Sequence, residues 1–298
     1  MKSRYVKSLA WVAAIFLAAA CDKEPNVAPP RPSGGNGSSQ EAALEPAPCS
    51  NNIVAHRGGS SECGQPDNSI GSLKYAMSLK LYASECDIYW TKDNNIVVAH
   101  ADGNYKINGL LPWESTLDEL RKAGTLKNGE KLPSLEDFLK TVMVEGNCTK
   151  LCLDIKYTSP TTYAVNAVIR ACEIIKEMQA EKFCEFICTG NTTVAKTASQ
   201  CMVAYKIPVG WMNTGGPKTH LDAGFTWANI AASNFTPTGA RTAKEFIDAG
   251  MEISVFNVDK AGSTDGNAVS DNTYFLQNHS LFRCICSNYP KWLQTQIK

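Results

Sequence analysis

From residue 51 onward, short β-like runs alternate with amphipathic stretches, and this alternation constrains the fold more than any other property of the chain. The runs cover residues 53–56, 83–90, 151–156, 183–189, 204–212, 227–232, 253–258 and 282–287, which makes eight. Between them, segments 69–79, 134–144, 162–178, 192–201, 242–249 and 272–279 carry helical periodicity, several opening on Ser, Thr or Asn and closing on Gly. Strands separated by helices pair in parallel through right-handed crossovers. Eight such units in residues 51–298 predict an α/β fold of the TIM (β/α)8 barrel type, whose functional residues sit at the carboxyl ends of the strands. A doubly wound open sheet is the competing architecture, but no G-x-G-x-x-G or phosphate-binding loop follows the first run.

The segment before this pattern reads differently. Lys2, Arg4 and Lys7 precede an apolar run over residues 9–20 that ends at Cys21. The run is too short for a hydrocarbon core of about 30 Å and suits an export signal. Leu17-Ala18-Ala19-Ala20-Cys21 resembles a bacterial lipobox, so residues 1–20 are expected to be a signal peptide and Cys21 the site of lipidation. Residues 21–50 hold six of the fourteen prolines and a Gly/Ser cluster, the composition of a flexible linker. The expectation is a lipid-anchored protein of a bacterial cell envelope, periplasmic or outer-surface, touching membrane only through its N-terminal anchor.

The 298 residues carry 29 Lys+Arg and 29 Asp+Glu with no long basic run, which leaves no footprint for a nucleic-acid backbone and favours a small-molecule substrate. Nothing in the sequence points to a protein partner. Of twelve cysteines, eleven remain beyond Cys21, and their scattered spacing decides no disulfide pairing. Cys148 with Cys152, and Cys184 with Cys188, stand four apart, yet no further ligand pair completes a zinc set, so they read as small buried residues.

The strand ends carry the chemistry. The first run finishes as His56-Arg57-Gly58-Gly59, and the second places Glu85 and Asp87 two apart, hence on one face, with Cys86 on the other. Asp154 and Lys156 share a face of the third run. Three carboxylates aimed at one interior repel each other unless a cation sits among them, and oxygen ligands favour one hard divalent ion, Ca²⁺ or Mg²⁺. His100, after the apolar run in NNIVVAHAD, supplies a second imidazole, and two histidines suit general acid and base roles at phosphorus or carbonyl carbon. His220 and His279 lack any such context and read as surface residues. Trp90, Trp113 and Trp211 read as packing or rim residues.

The ordered runs VAHRGGSSECGQPDNSIGSLKYAM, ECDIYWTKDNNIVVAHAD, LPSLEDFL, LDIK and SNYP resemble the glycerophosphodiester phosphodiesterase family across residues 52–290. The resemblance implies a TIM barrel of the phospholipase-C-like phosphodiesterase type that hydrolyses glycerophosphodiesters to glycerol 3-phosphate and an alcohol with a bound metal. It implies His56 and His100 as the acid/base pair, Glu85, Asp87 and Asp154 as metal ligands, and Arg57 and Lys156 as phosphate contacts. Asp67, Asn68 and Phe256 would support them from behind.

This chain also departs from the family pattern. Asp67 and Asp154 each stand where glutamate is usual, and Ala101 stands where Asp usually follows the second histidine, with Asp102 one place late. Phe256 in ISVFNVD takes a tryptophan position, and SNYP replaces T-D-x-P. Two rival readings follow: a phospholipase C/D-like lyase that leaves a cyclic phosphate, and a non-catalytic lipoprotein that binds a phosphorylated ligand.

Overall fold

The computed structural model describes residues 44–189, 192–235, 241–263 and 271–297. The signal peptide, the lipidation site Cys21 and most of the linker lie outside the described residues. Among the described residues nine strands are formed: β1 (Ile53–Ala55), β2 (Ala83–Trp90), β3 (Ile96–Val98), β4 (Lys150–Ile155), β5 (Cys184–Cys188), β6 (Val209–Trp211), β7 (Trp227–Ala231), β8 (Glu252–Phe256) and β9 (Ile285–Ser287). Eight of them pair in parallel in the order β1-β9-β8-β7-β6-β5-β4-β2, and a β1–β2 pairing closes the ring. The expected TIM barrel is therefore present. The short β3 lies outside the ring, antiparallel on the end of β2.

Ten helices among the described residues accompany the strands: α1 (Ser60–Cys63), α2 (Ile70–Ser78), α3 (Leu117–Ala123), α4 (Leu135–Val142), α5 (Thr162–Glu177), α6 (Thr192–Tyr205), α7 (Pro217–Asp222), α8 (Ala243–Asp248), α9 (Thr273–Gln277) and α10 (Pro290–Gln296). Their starts follow from side-chain caps. Ser69, Thr116 and Ser134 each accept the N–H three residues on, in capping boxes that satisfy donors the first turn would otherwise orphan. Among the described residues no helix is long and apolar enough to cross a membrane.

Strand alternation divides the core. Leu151, Leu153 and Ile155 of β4 face outward and pack with Phe138, Val168 and Ile175 of the helical layer. Cys152, Val54, Ile187, Trp227 and Cys284 fill the barrel interior. Cys86, Cys184 and Cys188 lie in the outer layer, so these cysteines act as small apolar side chains, as the sequence reading expected.

Three readings need correction. The run 204–212 is a strand only from Val209, because Tyr205 ends α6, Lys206 takes a left-handed φ of 57°, and Pro208 offers no N–H. The run 282–287 is a strand only from Ile285, although the Arg283 N–H already donates to Ile253 O at 2.7 Å, and the Arg283 side chain turns to Glu185 at the barrel floor. His220 is not a surface residue. It is fully buried, with its ring against Trp211 and Phe246 and its nitrogens 3.1 Å from Gly216 O and 3.3 Å from Trp211 O. The phase of α7 turns it inward and leaves the neighbouring Leu221 45% exposed.

Candidate active site

The period of two along β2 points Glu85 and Asp87 into the barrel, and the β2–β4 register sets Asp87 directly opposite Asp154. All three carboxylates are buried, and one oxygen from each lies within 4.8 Å of the others. Among the described residues Glu85 Oε1 and Asp154 Oδ1 have no hydrogen-bond partner, and Asp87 Oδ1 meets only the Lys156 ammonium at 3.0 Å. Buried acceptors left open in this way suit a small cation, and the all-oxygen set fits a hard one.

The turn after β1 brings the next groups. Arg57 sits at φ 47°, a conformation that costs energy in a non-glycine residue, and Gly58 follows at φ 82°. A Cβ on Gly58 would come within 2.4 Å of Ser72 Oγ, so only glycine lets the turn press onto α2. The turn aims the Arg57 N–H at Glu85 Oε2 (2.8 Å), Arg57 Nε at Asp87 Oδ2 (3.2 Å) and Arg57 Nη1 at Asp67 Oδ2 (3.1 Å). Ser60 donates to the other Asp67 oxygen. Asn68 donates to Asp87 Oδ2 (2.8 Å) and accepts the Asp87 N–H (3.0 Å), which fixes that carboxylate. Lys156 Nζ bridges Asp154 Oδ2 (2.9 Å) and Asp87.

Three buried carboxylates and two cations leave the cluster one charge short of balance. Burial, with Asp87 and Asp154 alongside, pushes Glu85 well above the usual carboxylate range, and burial also raises Asp154 despite Lys156. Burial opposes ionisation of Asp87 too, but Lys156 and Arg57 flank it and hold it below the usual range. The Lys156 ammonium is raised, because the attraction of Asp154 and Asp87 outweighs its own burial.

His56 Nδ1 lies 2.6 Å from Asn288 Oδ1, and its Nε2 is 3.9 Å from Glu85 Oε2. His56, Arg57, Asp67, Glu85, Asp154, Lys156 and Phe256 line a cavity of about 550 Å³ in the barrel mouth. His100 instead lines an adjoining cleft of about 990 Å³ that shares Ser61 and Asp67 with the first. It stands at the exposed rim, where partial desolvation lowers its affinity for a proton, Asp87 raises it, and Arg57 and Lys156 lower it further. The expected tryptophans do pack: Trp113 stacks on Tyr163 at 5.0 Å, Trp90 on Tyr163 at 5.9 Å, and Trp211 on Phe225 at 5.3 Å. Sequence reasoning missed Asn288 as a partner of His56 and gave Asp259 no role. Both stood in runs weighed only against the family pattern, with no role given to either side chain.

Residues 56–263 match the profile of the glycerophosphoryl diester phosphodiesterase family. This chain belongs to that family. A glycerophosphodiester phosphodiesterase of Caldanaerobacter subterraneus subsp. tengcongensis is 31% identical over 99 residues, which is 30% of this chain and 40% of the relative. The chain spans about 40% of the length of the curated relatives it matches. Among solved structures, a glycerophosphodiester phosphodiesterase from Parabacteroides distasonis aligns at TM-score 0.66 and 26% identity, covering 84% of this chain and 98% of that one. A phosphodiesterase from Oleispira antarctica, solved with the product sn-glycerol-3-phosphate, shares the fold at TM-score 0.62 and 18% identity over 83% of this chain and 96% of its own.

The departures of this glycerophosphoryl diester phosphodiesterase family member now have places. Asp154 still reaches the carboxylate cluster. Asp67 pairs with Arg57 from the rim, its side chain 46% exposed, and lies apart from that cluster. Ala101 is buried among Tyr89, Val97 and Trp113, while Asp102 accepts the N–H groups of Asn104 (2.8 Å) and Lys106 (2.9 Å) in its own turn. Phe256 faces the cavity with Met212 and Trp227.

Proposed function

We propose that this protein hydrolyses glycerophosphodiesters to glycerol 3-phosphate and an alcohol, with one divalent cation, Ca²⁺ or Mg²⁺, held by Glu85, Asp87 and Asp154. The observation that carries the reading is the buried carboxylate cluster with open oxygens, beside His56 and at the foot of a cavity, in a chain of this family. The solved relative that holds sn-glycerol-3-phosphate supports the substrate class. When bound, the cation supplies Lewis-acid stabilisation of charge on phosphoryl oxygens. Arg57 and Lys156 flank the same space, and each is placed to share itself between the carboxylates and a phosphate. His56 takes the proton of the attacking hydroxyl or water, and His100, across the shared rim, gives one to the leaving alcohol. Phe256 and Trp227 pack the apolar edge of the glycerol.

The protein is exported and tethered through lipid on Cys21. Replacing Cys21 with Ala is expected to move the protein from the membrane fraction to the soluble one, and unchanged partition would remove the anchor. Activity is tested on glycerophosphocholine and glycerophosphoethanolamine with Ca²⁺, Mg²⁺ or a chelator, followed by phosphorus NMR. Chelator-sensitive release of glycerol 3-phosphate is expected. A cyclic phosphate as the end product would replace hydrolysis with a lyase reaction, and tight binding with no turnover would leave only a binding role.

A further inference from the structure

The geometry points to Asp259 and Asn288 as a positioning pair that sets which nitrogen of His56 carries the proton, and so makes His56 the proton acceptor of the reaction. This rests on the hydrolase reading above for its kinetics, but its structural part stands without it.

The chain of bonds starts at Asp259, a fully buried carboxylate just beyond β8. Asp259 Oδ1 accepts from Ser287 Oγ (2.8 Å) and from the Asn288 N–H (2.6 Å), and Oδ2 accepts from Asn288 Nδ2 (2.7 Å). With both Asp259 oxygens accepting, the NH₂ of the Asn288 amide faces Asp259. Its oxygen is then turned to His56, 2.6 Å from Nδ1. An amide oxygen only accepts as well. His56 must therefore donate from Nδ1, and in the neutral ring Nε2 is left with its lone pair, on the side of Glu85 and the cavity that His56 lines. Backbone contacts hold the pair in place: Tyr289 N donates to Ser287 Oγ (3.0 Å), and Asn272 Nδ2 donates to Asp259 O.

The arrangement gives SNYP a physical reason. A second carboxylate at residue 288 would face that of Asp259 across a bond that now needs a donor, whereas an asparagine meets both neighbours at once. Asp259 touches neither substrate nor the reacting atoms. It acts through Asn288, and Asn288 acts through His56.

The full chain, labelled with ¹⁵N-histidine, reads the tautomer directly. His56, one of four histidines, is assigned by the signal missing in His56→Gln. The native protein is expected to show a protonated Nδ1 and a bare Nε2 on His56. Asp259→Asn removes the acceptor that orients Asn288, and it should give mixed tautomers and lower kcat by about 10-fold or more with KM little changed, the size expected when a group orienting a functional histidine is lost. Asn288→Leu should do the same. Asp259→Asn combined with Asn288→Asp restores a donor at 259 facing an acceptor at 288 and should recover most of kcat, which a merely destabilised fold would not. A native Nε2–H tautomer, or single variants with unchanged tautomer and kcat, would overturn the assignment. If the native chain turns over no phosphodiester yet shows the Nδ1–H signal and loses it in Asp259→Asn, the pair stands and the hydrolase reading falls.

Discussion

The barrel buries charge at both ends, and the two clusters differ in how their carboxylates are gathered. At the floor, Glu185 accepts from Arg283 Nη2 (2.9 Å) and the Tyr82 hydroxyl (2.8 Å), while Arg283 also reaches Glu252 (2.6 Å) and lies over the Trp227 ring at 4.4 Å. Arg283 is shared between two carboxylates and an aromatic face covers the guanidinium, while Glu185 Oε1 and Arg283 Nε are left without a hydrogen-bond partner among the described residues. At the mouth, Glu85, Asp87 and Asp154 outnumber Arg57 and Lys156, carboxylate oxygens stay open, and Arg57 holds a left-handed backbone. The mouth differs in bringing open oxygens of three carboxylates within 4.8 Å of one another beside a cavity, an arrangement that suits a bound cation.

The comparison breaks first at the floor, where the largest effect is expected. Arg283→Met leaves Glu185 buried without its cation and should cost about 3–5 kcal/mol of stability by denaturant midpoint, with turnover per folded molecule unchanged. A loss below about 1 kcal/mol would mean that the floor is not held by this pair. At the mouth the same kind of deletion should fall on activity instead. His56→Ala and His100→Ala are each expected to reduce turnover by about 10²-fold or more while thermal unfolding moves little. Near-native rates in both would remove the acid/base roles.

A cation should act on one end only. At about 100 times its dissociation constant, Ca²⁺ or Mg²⁺ is expected to add about 2.7 kcal/mol to the native protein. Glu85→Gln should abolish that gain and, without cation, raise stability at pH 7. The sign follows from the raised pKa of Glu85: ionising it inside the fold is unfavourable, and the cost appears as pH rises past the ordinary carboxylate value. Equal response to cation in native and Glu85→Gln proteins would place the ion elsewhere.

The smallest effect belongs to His220, outside both clusters. Burial lowers its pKa although the carbonyls of Gly216 and Trp211 pull the other way, so it is neutral in the fold. The unfolded chain then binds the extra proton first, and stability is expected to fall as pH drops below the ordinary histidine value of about 6.5. Melting curves across that range should be flatter for His220→Leu, and identical slopes would show that this ring does not couple to folding.

Much of the mouth was legible because its residues are local. Glu85 and Asp87 are two apart on one strand, Asp154 and Lys156 likewise, and the His56-Arg57-Gly58-Gly59 turn is contiguous. Periodicity alone puts such pairs on one face. The floor was not legible, since Glu185 and Arg283 are 98 residues apart and neither sits in a run with a visible partner. Asn288 was given no role of its own, because its hydrogen-bond partners Asp259 and His56 lie 29 and 232 residues away.

By itself, then, the sequence determined the alternation of strand and helix, the count of barrel strands, and which side chains of each strand face inward, because these follow from local propensity and a period of two. Only the tertiary structure decided that Asp87 lies opposite Asp154, that the Asn288 amide just past β9 lies 2.6 Å from His56 Nδ1, and that His220 is interior. Register and helix phase are set when the whole ring closes and every apolar face is buried at once, and no local segment carries that information.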